Sequence, residues 1–207
     1  MVPNAPTDLR RQVALLCAAL AILSTVTANA QSVPEADHHQ HLFSPAIAAL
    51  MSPPAPAPAA IPITASDLVS HLDAAGIERA VVLSAAYIWG QPWKKVEDEY
   101  ERVRAENDWT SQQVGLFPDR LIGFCGLNPI KDYALDELAR CANDPNLRRG
   151  LKLHIGNAAA DYHNPQHLEQ LRRVFRAANA CRARFPGRSG ESVGAEPVGR
   201  VSSDLAV

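Results

Sequence analysis

In the run Asp37-His38-His39-Gln40-His41, every second residue could bind or orient a metal ion. Side chains along an extended strand point alternately to opposite sides, which puts Asp37, His39 and His41 on one side and His38 and Gln40 on the other. Two imidazoles spaced this way can reach a single ion. Neutral imidazole is a good ligand for Zn²⁺ and similar divalent metals, and a carboxylate on the same side can orient a ligand from behind. The competing reading is a polar, histidine-rich linker with no fixed geometry. His38 and Gln40 weigh toward the linker, because their side of the strand should meet helices. A second cluster lies at Gly150-Leu151-Lys152-Leu153-His154-Ile155. Alternation places Leu151, Leu153 and Ile155 toward helices and turns Lys152 and His154 the other way. An inward Lys152 near a metal could bind an anionic substrate, bridge two metals as a carbamate, or pair structurally with an acid such as Asp37. His154 reads as a hydrogen-bonded lining residue ahead of a metal ligand. Asn128 is expected at the end of a strand, where barrel enzymes gather polar groups. Trp89 and Trp93 either line a substrate mouth or only cover a rim. His71, His163 and His167 read as surface or capping residues.

These groups need a scaffold, and the chain supplies an alternation. Residues 43–64 read as a long loop, because Pro53, Pro54, Pro56, Pro58 and Pro62 exclude helix interiors and central strands. Ser66 offers a helix cap, followed by Leu68, Leu72 and Ala75 at helical spacing until Gly76. Ala80-Val81-Val82-Leu83-Ser84 is a short apolar run of the kind covered on both faces in a parallel sheet. An aromatic loop over 87–95 holds Tyr87, Trp89, Gly90, Pro92 and Trp93. A charged helix is expected over Val96–Val114, a third strand over Arg120–Pro129, a third helix over Asp132–Asn143 and a fourth strand over Gly150–Ile155. A fourth helix carries Leu168, Leu171, Phe175 and Ala178 on one stripe. Four strand–helix units predict a parallel sheet, either doubly wound or the first half of a (β/α)8 barrel. A dinucleotide-binding sheet is disfavoured, because histidines and prolines stand where a glycine-rich phosphate loop should follow the first strand.

The ends of the chain differ from its middle. Residues 1–30 read as a secretion signal: Arg10 and Arg11, an apolar stretch from Val13 to Leu23, then Ala28-Asn29-Ala30 as a cleavage site. An exported protein, periplasmic or secreted, is expected. That apolar stretch is well short of the ~20 residues that span a bilayer, so stable membrane insertion is not expected. Residues 31–180 form the partial barrel. Residues 181–207 hold four of the 11 glycines with four arginines and four serines, and show no period. This segment reads as a frame-shifted gene end or a disordered terminus. A formal net charge of −2 and the lack of a clustered cationic face exclude nucleic acid as a partner. Of four cysteines, Cys17 lies in the signal. Cys125, Cys141 and Cys181 remain, an odd number without a Cys-x-x-Cys pair, and no disulfide framework is expected.

Taken together, Asp37-x-His39-x-His41-Leu42, the helix and strand from Leu72 to Val82, Pro118 to Phe124 with Asn128-Pro129, and Gly150 to His154 resemble the amidohydrolase superfamily. The likeness is to its amidohydrolase-related branch of metal-dependent hydrolases and decarboxylases, and it covers residues 36–180. It implies a (β/α)8 barrel in which His39 and His41 bind a divalent metal, Zn²⁺ before others. Asp37, Lys152, His154 and Asn128 then support the metal or contact a small-molecule substrate. The family completes its site with a His from strand five, a His from strand six and an Asp from strand eight, and no residue of this sequence matches those positions. The resemblance thus implies a hydrolase of a small C–N or ester bond, or a decarboxylase, with this chain a truncated and weakly active or inactive form. A non-catalytic remnant with open sheet edges is the alternative. A third option is a homo-oligomer in which two halves close one barrel.

Overall fold

The computed structural model describes residues 34–184, so the expected signal segment and the tail beyond Arg184 lie outside the described residues. Four strands, β1 (Ala36–Gln40), β2 (Arg79–Leu83), β3 (Leu121–Gly126) and β4 (Leu151–Lys152), lie in the order β1-β2-β3-β4, and every neighbouring pair is parallel. The helices are α1 (Pro45–Met51), α2 (Ala65–Ala75), α3 (Glu99–Gly115), α4 (Ala134–Ala142) and α5 (Pro165–Arg184), with a 3₁₀ turn at Ala85–Ile88. Parallel neighbours joined in sequence order by crossover helices are the arrangement of half a (β/α)8 barrel. Helix α5 runs across the compositional change at residue 181 and is described as far as Arg184. Among the described residues, no helix is long and apolar enough to cross a membrane.

Local chemistry explains most of the boundaries. Thr64, not Ser66, caps α2. Its hydroxyl accepts from the Asp67 N–H while the Asp67 carboxylate accepts from the Thr64 N–H, a reciprocal capping box. Gly76 ends the helix in a left-handed conformation at φ 70°, which costs glycine nothing. The expected loop over 43–64 is corrected at its start, where Pro45–Met51 is helical. Ser44 caps that helix, and Pro45 stands in its first turn, where a missing N–H is harmless. The crowded prolines all follow it. β4 is shorter than the expected strand and stops at Lys152, so Leu153 to Ile155 do not continue the alternation.

Three apolar clusters hold the layers together. Leu42, Leu68, Leu72, Val82 and Leu121 join α2 to the sheet. Cys125, Leu127, Leu138, Leu147 and Val174 join β3 to α4 and α5. Ile47, Ala85, Trp89 and Val103 join α1, the 3₁₀ turn and α3. Burying a side chain of this size contributes roughly 1.5–3 kcal/mol, so these clusters supply the main drive to fold. The expectation of no disulfide is also corrected: Cys125 of β3 and Cys141 of α4 are bonded, with Cα atoms 6.0 Å apart. The crossover, not sequence spacing, brings the two together. Beside them, Asn107 donates to the Gly126 carbonyl at 2.9 Å and to Glu137 at 2.6 Å, and accepts from the Gly126 N–H at 3.0 Å. This buried amide fixes the end of β3.

Candidate functional site

The carboxyl ends of four parallel strands fall on one side of the sheet, the side where barrels carry their chemistry. His41 follows β1, Tyr87 follows β2, Asn128 follows β3, and β4 ends with Lys152 just before His154. The His39 and His41 rings are 5.2 Å apart between centroids, at an angle of 72°. His41 Nδ1 lies 2.6 Å from the Leu83 carbonyl, to which it can only donate, so the lone pair is on Nε2. Burial pushes the His41 pKa down against the raising effect of that carbonyl, and Lys152, His39 and His154 push it further down. His41 is therefore a neutral imidazole with one nitrogen held and the other available as a ligand.

Asp37 is placed differently from simple alternation. The β1–β2 register slips between Asp37, opposite Ala80, and Gln40, opposite Val82. Across this bulge, Asp37 accepts from the His39 N–H at 2.9 Å and from the Gln40 amide at 2.6 Å. These bonds, the backbone one foremost, hold its carboxyl below the usual range. The carboxylate thus braces the backbone that carries His39, and its contacts are local ones.

Lys152 and His154 meet at a residue that sequence reasoning treated only as part of an aromatic loop. The Tyr87 ring stacks on His154 at 5.4 Å, approaches His41 at 6.3 Å and has the Lys152 ammonium 5.6 Å from its centre. Burial lowers the Lys152 pKa and raises that of Tyr87. A signal for Tyr87 was present in the sequence: it is the first aromatic side chain after the second strand. His154 also accepts from the Asn157 N–H at 3.1 Å. Asn128 is buried, donating to the Gly90 carbonyl at 2.6 Å and accepting from the Ile130 N–H at 3.0 Å. Trp89 is buried in the core, with its outer face under Arg102, whereas Trp93 is exposed.

The histidine pair fits the first two ligands of a divalent cation: nitrogen donors, one of them held neutral in the ligating tautomer. Among the described residues, Cys125, Glu137 and Cys141 form the one group of three ligand types whose donor atoms converge. Its sulfurs are bonded to each other, and the Glu137 carboxylate is taken by Asn107 and Arg140, so we read it as structural. Two clefts lie away from the histidines. One, of about 440 Å³, is at the amino ends of β2 and β3 beside Asp73 and Arg120; the other, of about 320 Å³, lies between Ser44–Ala46 and α3. The first is on the face of a barrel that serves stability, and convergent chemistry outweighs cleft size in locating a site.

No family model and no curated protein sequence matches the chain. Among solved structures, it is similar to the apo form of IDCase from Metarhizium anisopliae, at 15% identity and a TM-score of 0.53, over 81% of this chain and 57% of that one. It also matches a probable 2-pyrone-4,6-dicarboxylic acid hydrolase from Acinetobacter baumannii, crystallised with citric acid, at 21% identity and a TM-score of 0.42. That match covers 69% of this chain and 46% of the other. Likeness at these identities speaks for the fold, and it does so through the IDCase structure. The chain spans about half the length of the structures it matches.

Proposed function

We propose that this chain carries the metal-binding and anion-binding half of a metal-dependent hydrolase site that acts on a small molecule with a C–N or ester bond. The observation that carries the proposal is His41: a half-buried neutral imidazole, Nδ1 fixed by the Leu83 carbonyl and Nε2 available beside His39. A divalent ion, Zn²⁺ in the first instance, would supply a Lewis acid and water of lowered pKa. His39 and His41 would hold it, with Asp37 bracing the backbone between them. Lys152 adds positive charge and His154 a further donor, which favours a substrate carrying a carboxylate or another anionic group. Decarboxylation of such a substrate would draw on the same residues. Export through the residue 1–30 signal belongs to the same proposal.

A second reading is favoured by one observation. Among the described residues, no third histidine, cysteine or carboxylate donor converges with those of His39 and His41. The chain by itself is then a metal-holding protein with weak turnover or none. The test is to assay the Zn²⁺-supplemented chain against small carboxylate-bearing esters and amides, with and without a chelator, beside His41→Ala. Chelator-sensitive hydrolysis that falls at least about tenfold in His41→Ala supports the hydrolase reading. Bound Zn²⁺ without turnover supports the second, and absence of both contradicts each.

A further inference from the structure

We infer that the Tyr87 ring partitions the strand-end site, walling His154 off from the His39–His41 pair, and that Asn128 is the positioning residue for the segment that follows the turn carrying Tyr87. This rests on the metal reading above but is tested apart from it. Among the described residues, Tyr87 is the one ring in contact with both sides. It is 6.3 Å from His41 and stacked at 5.4 Å and 25° on His154, whereas no ring contact joins His154 to His39 or His41 among the described residues. Lys152 comes from the same short strand end as His154 and also meets the ring, at 5.6 Å. Aromatic stacking and a cation over the ring together hold His154 against Tyr87 and away from the other pair. The site is thereby divided into a metal half on β1 and a ligand half on β4.

Tyr87 is carried by the 3₁₀ turn Ala85–Ile88, and the segment that leaves this turn is pinned at Gly90. The Gly90 carbonyl accepts from the Asn128 amide at 2.6 Å, and Asn128 is itself fixed through Ile130. The segment lies so close that a Cβ on Gly90 would stand 2.8 Å from Asn128 Cβ and 2.8 Å from the Tyr133 hydroxyl. Real Cβ contacts do not come this close, so Gly90→Ala must displace this segment, while Asn128→Asp removes the donor that binds the Gly90 carbonyl. Both polar ends of Asn128 are bonded to backbone, which suits a clamp better than a substrate contact.

Two measurements on the full chain decide the inference. The first is Zn²⁺ titration. His154→Ala should leave the Zn²⁺ affinity unchanged, and Tyr87→Phe should match the parent. Tyr87→Ala should tighten binding by about tenfold as His154 gains access, and Tyr87→Ala/His154→Ala should lose that gain. Weaker Zn²⁺ binding in His154→Ala alone, or no gain in Tyr87→Ala, overturns the partition. The second, on metal-free protein, is the NMR shift of the His154 ring protons, which lie in the ring current of Tyr87. That shift should persist in Tyr87→Phe, vanish in Tyr87→Ala, and change in both Asn128→Asp and Gly90→Ala while the circular dichroism spectrum stays that of the parent. An unchanged shift in both clamp variants overturns the role of Asn128, and an unchanged shift in Tyr87→Ala overturns the partition even if the parent binds no Zn²⁺. That last result alone, no Zn²⁺ bound, would count against the metal reading and not against the partition.

Discussion

Glu106 is almost fully buried on α3, where one carboxyl oxygen accepts from the Ser44 hydroxyl and the other has no hydrogen-bond partner among the described residues. Burial raises its pKa against the lowering effect of Ser44. Because the folded value lies above the unfolded one, the group binds its proton more tightly in the native state. Its contribution is therefore favourable at low pH and is lost as pH rises from about 4.5 through the folded pKa, each tenfold difference in proton affinity being worth about 1.4 kcal/mol. Glu106→Gln has no charge to bury, so its stability relative to the parent should increase between pH 4 and pH 8 and then level off. Thermal unfolding across that range checks this, and a gain confined to the acid side would contradict it. At the same scale, the spacing of His39 and His41 was legible in the sequence. The contacts of Asp37 were not, because the bulge that turns it toward Gln40 depends on pairing with a strand some forty residues away.

Single elements show why some boundaries could be read in advance and others could not. The β2 strand and the α2 helix carry their own signals, in the apolar run Ala80–Leu83 and the stop at Gly76. Helix α1 does not, since its seven residues are held by Ser44 and by burial of Ile47 against the aromatic loop. Burial of that kind appears only once the sheet has formed. The bond between β3 and α4 is another product of tertiary geometry, spanning 16 residues. Closing a loop of this length stabilises the folded state by on the order of 3 kcal/mol, mostly through the unfolded chain. Cys125→Ser/Cys141→Ser, or reduction of the parent with a dithiol, should lower the melting temperature by roughly 5–10 °C. Since Asn107 and Glu137 hold the same strand end independently, the fold itself should survive. A melting temperature indifferent to reductant would contradict the assignment.

At the scale of the whole molecule, four parallel strands in sequence order, each ending on the same side, carry His41, Tyr87, Asn128, Lys152 and His154 to their carboxyl ends, with His39 beside His41. Alternation of strands and helices made this half-barrel arrangement legible, because right-handed crossovers leave few other ways to stack such units. What alternation could not reveal was the division of labour among those residues. Tyr87 belongs to a 3₁₀ turn too short to show a period, and its place between two histidines depends on how the segment after that turn meets Asn128 at Gly90. The central claim is that imidazoles, not the cysteine group beside Glu137, are what this chain offers a metal. X-ray absorption at the zinc edge of the Zn²⁺-loaded chain separates the two. Ligation by His39 and His41 requires a nearest shell of nitrogen and oxygen at about 2.0–2.1 Å, with imidazole scattering that is lost in His39→Ala/His41→Ala; a sulfur shell at about 2.3 Å, or a spectrum that this variant leaves unchanged, would refute it.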